Sequence, residues 1–281
     1  MSLRRTNKLV VPFVKWVGGK RQILLDIEKY LPSKFLTYYE PFVGGGALLF
    51  HLQPKNAVIN DSNEELINLY TVIKNNPLDL IEDLRKHKNE ADYFYTIRGL
   101  DRDREKFLKL TDIERASRII FLNKTCYNGL FRVNNAGEFN TPFGRYKNPN
   151  IVNEITIKAV SSYLNNANIL IMNGDFEEAL RDVSKGDFIY LDPPYDPISD
   201  SSSFTGYTKG GFGRDEQERL KDLCDQLHAK KAKFLLSNSY TELILNLYKN
   251  YKIKEVKAIR SINSDAEKRG QVSEVLIRNY E

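Results

Sequence analysis

The sequence predicts an α/β protein built on an open, largely parallel sheet, and three observations predict it. First, a strand at Phe35 to Glu40 runs into the turn Pro41-Phe42-Val43-Gly44-Gly45-Gly46 and the apolar helix start Ala47 to Leu52. That order suits a nucleotide-type ligand, because glycines let it approach the main chain at a helix start. Second, the strand Ala57-Val58-Ile59 ends in Asn60-Asp61, and an acid at such a tip can accept hydrogen bonds from sugar hydroxyls. Third, the apolar run Phe188-Ile189-Tyr190-Leu191 stops at Asp192-Pro193-Pro194-Tyr195. Neither proline has an N–H for the ladder, and a residue before proline is held extended, so Asp192 and Pro193 form a stiff corner. Open α/β sheets bind ligands at such carboxyl-terminal strand ends. Taken alone, the corner could equally be a strand that stops, with a solvated acid and a packed ring.

The other elements follow in order. Phe13 to Lys20 places the one tryptophan, Trp16, beside Gly18, Gly19 and Lys20, a loop open to a ligand. A helix is expected from Arg21 to Tyr30, ahead of Pro32. The glycine turn is not the dinucleotide fingerprint, since Leu49 occupies the third glycine position. Ser62 to Glu65 opens a helix carrying Leu66, Leu69, Tyr70 and Ile73, which Pro77 terminates. From there to Asn123 the periodicity is helical, with a capping box of Thr111 and Glu114. Asn123 to Lys147 mixes basic, amide and aromatic residues around an expected hairpin turn, Asn135-Ala136-Gly137-Glu138. Such a mixture suits nucleic acid, where arginine and amides read base edges and rings stack. On composition alone it could also be an inert polar loop.

Further on, a helix near Val152 to Tyr163 leads to the strand Asn168 to Met172 and to Gly174-Asp175-Phe176. A long serine- and glycine-rich loop, Asp196 to Gly213, is expected to act as a lid or binding loop. After it come a helix from Arg214 to His228, a strand from Lys233 to Ser237 and a helix at Leu243 to Leu247. Tyr251 to Ile259 and Val272 to Tyr280 read as a terminal antiparallel pair.

Composition narrows the class. With 28% charged and 41% hydrophobic residues among 281, the chain is globular rather than disordered. The net charge of +5 is compatible with a polyanionic partner, and before Lys34 seven basic residues stand against only Asp26 and Glu28. No apolar run has the length of a membrane span, and the N-terminus lacks a secretory apolar core. Cys126 and Cys224 are the only cysteines, which argues against a disulfide framework or structural zinc and for a reducing cytoplasm. Cys224 lies at helical spacing with Leu220, Leu223 and Leu227, as a core residue would.

Taken together, Lys15-Trp16-Val17-Gly18-Gly19-Lys20, Pro41 to Gly46, Asn60-Asp61, Tyr127-Asn128-Gly129-Leu130-Phe131-Arg132, Glu138 to Tyr146 and Asp192 to Tyr195 occur in the order of one family. The chain resembles the Dam-type (DpnII-like, class alpha) DNA adenine-N6 methyltransferases over nearly its whole length. The resemblance implies a Rossmann-like S-adenosylmethionine-dependent methyltransferase sheet formed by residues 1–64 and 152–281. A helical target-recognition insert carrying a β-hairpin would occupy residues 65–151.

By matching position, the resemblance also implies site residues. Trp16, Lys20, Phe42, Gly44, Gly46, Asp61, Asp175, Phe176 and Asp192 would bind S-adenosyl-L-methionine, with Asp61 on the ribose and Asp175 and Phe176 at the adenine. Asp192, Pro193, Pro194 and Tyr195 would be catalytic, and no metal is required. Lys15, Tyr127, Asn128, Arg132, Asn134 and Pro142 would contact double-stranded DNA, with GATC or a related short site as the target. A bacterial or phage-type cytoplasmic enzyme follows, with a cognate restriction endonuclease as a possible partner and the oligomeric state open. Two alternatives stand beside this reading: an RNA adenine or cytosine-N4 methyltransferase, and a catalytically inactive DNA-binding relative.

Overall fold

The computed structural model describes residues 6–16, 18–20, 23–197, 212–259 and 271–281. The expected lid at 196–213 therefore lies almost wholly outside the described residues. Seven strands form one sheet: β1 (Tyr38–Glu40), β2 (Asn56–Asp61), β3 (Asn168–Asn173), β4 (Phe188–Leu191), β5 (Lys233–Ser239), β6 (Lys252–Ile259) and β7 (Gln271–Arg278). Their order is β3-β2-β1-β4-β5-β7-β6. The pairs from β3 to β5 are parallel, whereas β7 is antiparallel to both β5 and β6. This is the doubly wound order with one antiparallel strand slotted between the fifth and sixth. β1 has β2 on one side and β4 on the other, so the strand order reverses there. The glycine turn and the proline corner leave the sheet side by side at that reversal.

Strand alternation divides the core into two layers. Tyr38, Phe188, Tyr190 and Leu235 face one apolar cluster, while Tyr39, Ile189, Leu191, Phe234 and Leu236 face the other. Because β1 and β4 are buried along their whole length, they read as continuous apolar runs, as parallel central strands do. The first strand is shorter than expected. Leu36 donates its N–H to the Gly186 carbonyl and Thr37 donates to Asp187 Oδ1, so a turn holds the residues ahead of Tyr38 rather than a ladder. Cys224 is fully buried in the second layer.

Helices α1 (Leu24–Lys29), α2 (Ala47–Leu52) and α3 (Glu64–Asn75) precede the helical stretch α4 (Pro77–Leu84), α5 (Ala91–Gly99), α6 (Arg104–Phe107) and α7 (Asp112–Thr125). Pro77 opens α4 as its first residue instead of merely ending α3, a position where its missing N–H costs nothing. The capping box at Thr111 and Glu114 is present in both directions. The later helices are α8 (Glu154–Asn166), α9 (Phe176–Ala179), α10 (Arg214–Ala229) and α11 (Glu242–Leu247). Among the described residues no helix is long and apolar enough to cross a membrane.

The hairpin differs from expectation. Its turn forms, with Asn134 N–H donating to the Glu138 carbonyl and Gly137 N–H to the Asn134 carbonyl. Its arms, however, meet only in isolated bridges, Val133 with Phe139 and Cys126 with Phe143. A side chain satisfies the outer edge of one arm: Phe139 N–H, which faces away from the other arm, donates to Asp101 Oδ2 at 2.7 Å.

Candidate active site

The proline corner is held from three directions. Lys20 Nζ lies 2.8 Å from Asp192 Oδ1, and Ser237 Oγ on β5 donates to that same oxygen at 2.9 Å. Tyr195 sends its hydroxyl to Glu274 on β7 at 2.9 Å, and the Pro194 carbonyl accepts from Gln217 Nε2 at 3.0 Å. Just past the corner, Asp196 N–H donates to Asn238 Oδ1. Two prolines stiffen the chain locally, and the side chains of β5, β7 and α10 fix where it points.

Lys20 joins this corner to the glycine bend. Its ammonium donates to the Gly18 carbonyl at 2.6 Å and sits 4.4 Å from the centre of the Tyr195 ring. Trp16, four residues earlier, lies against the bend: a Cβ on Gly44 would come within 3.0 Å of the indole. The other side of the indole stacks on Phe131 of the hairpin, with centroids 4.4 Å apart. One short loop therefore touches the glycine bend, the proline corner and the hairpin.

Carboxylates converge beneath the bend. Asp61 Oδ2 accepts from Gly44 N–H at 3.0 Å, and its Oδ1 accepts from Asn63 N–H at 2.9 Å. Burial pushes the Asp61 carboxyl up, opposed by those two N–H groups. Burial likewise raises Asp192, opposed by Lys20 and Ser237. Glu40, at the end of β1, is only 3% exposed and accepts from the Tyr38 hydroxyl at 2.8 Å. Burial pushes it up to about 8, and the nearby Asp192 charge adds to the shift. Carboxylates gathered behind a glycine bend suit a ligand carrying a cationic centre and sugar hydroxyls.

The aromatic wall beside it is Phe42 on Phe176, centroids 5.3 Å apart. Arg219 on α10 lies 4.3 Å over the Phe176 ring and pairs with Asp175, Glu177 and Glu216. Asp175 also caps α9 through Glu177 N–H, so both of its oxygens have partners here.

Most of the residues expected at DNA belong to the hairpin and its approach, residues 123–147. Tyr127, Asn128, Arg132 and Pro142 are exposed. Asn128 has φ of 57°, a left-handed conformation that asparagine tolerates better than most residues. Arg132 Nε donates to Asn140 Oδ1 at 2.7 Å. Lys15 joins this side through Asn123, which is 1% exposed, accepts from Lys15 N–H and donates to the carbonyls of Lys15 and Gly129. Asn134 is different, because its amide builds the turn by accepting from Ala136 and Glu138 N–H and donating to Glu138 Oε2.

The family model for the D12 class of N6 adenine-specific DNA methyltransferases matches residues 16–262. The chain belongs to that family.

Its relatives agree. The chain is 46% identical to the type II methyltransferase M1.LlaDCHI of Lactococcus lactis subsp. cremoris, over all of this chain and 99% of that one. It is 44% identical to the type II methyltransferase M.MjaIII of Methanocaldococcus jannaschii, over 96% and 99% of the two chains. A DNA adenine methylase of Haemophilus influenzae is 35% identical, over 94% and 92%. An adenine-specific DNA methyltransferase is thus the class of enzyme, and RNA or cytosine-N4 chemistry is set aside.

Sequence reasoning missed several residues that hold the candidate site residues in place: Glu40, Ser237, Asn123, Gln217, Glu274 and Arg219. Two carried a signal. Glu40 is an acid at the end of an apolar strand immediately before a proline, and Ser237-Asn238-Ser239 is a polar triplet closing an otherwise apolar strand. The others are ordinary surface-type residues whose partners lie far away in sequence.

Proposed function

We propose that this methyltransferase transfers a methyl group from S-adenosyl-L-methionine to N6 of an adenine extruded from duplex DNA. The observation that carries the proposal is the Asp192 carboxylate, held by Lys20 and Ser237 beside the Tyr195 ring at the point where the sheet order reverses. The bound cofactor supplies an electrophilic methyl on a cationic sulfur. Trp16, Lys20, Phe42, Gly44, Gly46, Asp61, Asp175, Phe176 and Asp192 form its binding surface, and for Asp175 that requires sharing its carboxylate with Arg219.

The adenine amino group is a poor nucleophile because its lone pair is delocalised into the ring. Asp192 and the Pro193 carbonyl accept its two N–H groups, which localises the lone pair on nitrogen and aims it along the transfer axis. Among the described residues both polar partners of Asp192 use Oδ1, so Oδ2 is the oxygen assigned to the adenine. Tyr195 stacks on the extruded ring, and Pro194, fixed by Gln217, holds that ring's support in place. Extrusion is needed because N6 is out of reach within the duplex, and it costs a few kcal/mol.

Residues 65–151 act as the target-recognition insert. Lys15, Tyr127, Asn128, Arg132 and Pro142 face DNA, while Asn134 shapes the turn that presents them. The target is GATC or a related short site. The names of the two type II relatives support a cytoplasmic role beside a restriction endonuclease.

Asp192→Ala tests the chemistry. It should remove tritium transfer from labelled cofactor to duplex DNA while the protein stays folded, and near-normal transfer rejects the assignment. Digesting a modified plasmid with a panel of methylation-sensitive nucleases tests the site, and cutting by a GATC-blocked nuclease rejects GATC.

A further inference from the structure

We infer that Asp101 is a specificity-determining positioning residue: it holds the hairpin arm to which Arg132 is bonded through Asn140, though its own side chain is largely covered. The inference rests on the proposed role of Arg132 as a base reader.

Asp101 sits in the 3-10 turn Leu100–Arg102 that follows α5. Its Oδ2 accepts Phe139 N–H at 2.7 Å and also pairs with Arg118 on α7 at 2.7 Å. The next residue, Arg102, donates from Nη2 to the Phe139 carbonyl at 3.1 Å. Both main-chain polar groups of one hairpin residue are thus gripped by two consecutive side chains. Arg98 adds a third point, donating to the Thr141 carbonyl at 3.3 Å.

Asn140 lies between these anchored residues. Its N–H donates to the Arg132 carbonyl and its Oδ1 accepts from Arg132 Nε. Any shift of residues 139–141 therefore moves both the backbone and the guanidinium of Arg132.

The clamp adds to a short set of cross-arm bonds: Asn134 N–H to the Glu138 carbonyl, Asn140 N–H to the Arg132 carbonyl, and the Thr141 hydroxyl to the Leu130 carbonyl. The arms share only isolated bridges, where an ordinary hairpin has a ladder. A cavity of about 200 Å³ lies beneath the hairpin, lined in part by Asp101, Arg118, Phe131, Val133 and Phe139, so packing below it is incomplete. Arg118 is itself buried, at 4% side-chain exposure, and its Nε and Nη2 donate to the carbonyls of Ile97 and Arg98. That ties the turn to the rigid helix α7 rather than to another loop. Bidentate base recognition tolerates little displacement.

The test measures kcat/KM of the full-length enzyme on a duplex bearing its methylated site and on duplexes with each base pair of that site substituted singly. Arg132→Ala defines the base pair that Arg132 reads. Asp101→Ala should lose discrimination at that same base pair by tenfold or more and keep it elsewhere. The double variant should discriminate no worse than Arg132→Ala alone, since both changes remove one contact. Asp101→Glu should restore part of the loss.

Equal slowing on every duplex, or independent losses that multiply in the double variant, overturns the inference. If Asp101→Ala does not fold, Arg102→Met releases only the Phe139 carbonyl. It should cost severalfold discrimination at the same base pair, and unchanged discrimination overturns the inference. If Arg132→Ala itself keeps full discrimination, the base-reading role falls and this inference falls with it. If only Asp101→Ala and Arg102→Met keep it, the base-reading role stands and the inference alone fails.

Discussion

The proline corner and the recognition hairpin solve opposite problems with the same kinds of side chain. At the corner, Asp192, Ser237, Glu40 and Tyr38 hold buried or half-buried polar groups in fixed positions under a rigid sheet edge. At the hairpin, Arg132, Tyr127 and Asn128 stand in solvent, and buried polar groups hold only the backbone behind them. The lesson is one of dielectric. A group that must bind a charge strongly is placed where water is excluded. On the proposed reading, Arg132 exchanges water for a base edge, so it stays exposed and its geometry is fixed from the rear.

The sharpest way to break the catalytic half is Gly46→Ala. Gly46 has φ of +67°, and a Cβ there would lie 2.5 Å from Tyr70 Oη and 2.9 Å from the Phe50 ring. Left-handed strain and overpacking together should cost about 2–5 kcal/mol, read as a lowered midpoint in urea denaturation. An unchanged midpoint would show that the bend is looser than its contacts imply.

Glu40→Gln should alter how stability depends on pH. With Glu40 raised to about 8 from the ordinary 4.5, the folded protein binds more protons than the unfolded chain between those values. The stabilisation is complete below pH 4.5 and is lost as pH rises through 8, at about 1.4 kcal/mol per unit where it is steepest. The glutamine variant should flatten that fall in denaturation curves taken at pH 5, 6.5 and 8. Parallel curves for both proteins would mean that Glu40 is not buried in a proton-holding site.

Lys20→Met removes the cation that opposes burial at Asp192, so the Asp192 carboxyl should rise further. The acidic limb of the kcat/KM profile is then expected to move to higher pH. A profile that falls in height without moving would place Lys20 in cofactor binding alone.

Arg132→Ala makes the smallest change in stability, within about 0.5 kcal/mol, because its side chain is exposed. Discrimination at one base pair should nevertheless drop by about 1–3 kcal/mol. A large stability loss would contradict the contrast between the two regions.

The amino-acid sequence by itself determined the mostly parallel α/β sheet, because its signals are local. Apolar runs such as Phe188 to Leu191 mark buried strands, Gly44 to Gly46 mark a tight bend, and Thr111 with Glu114 marks a helix start. The motif order also pointed to the family. Tertiary structure decided which distant side chains meet: Lys20 with Asp192, Arg219 with Asp175, and Asp101 with the backbone of Phe139. It also cut the expected hairpin ladder to isolated bridges with side-chain anchors along the outer edge, turned the Asn134 amide inward to its own turn, and left Glu40 in a site that favours its proton. Pairings such as these depend on separations of tens to hundreds of residues closing in space, and burial depends on every layer around a group. Neither leaves a periodic trace along the chain.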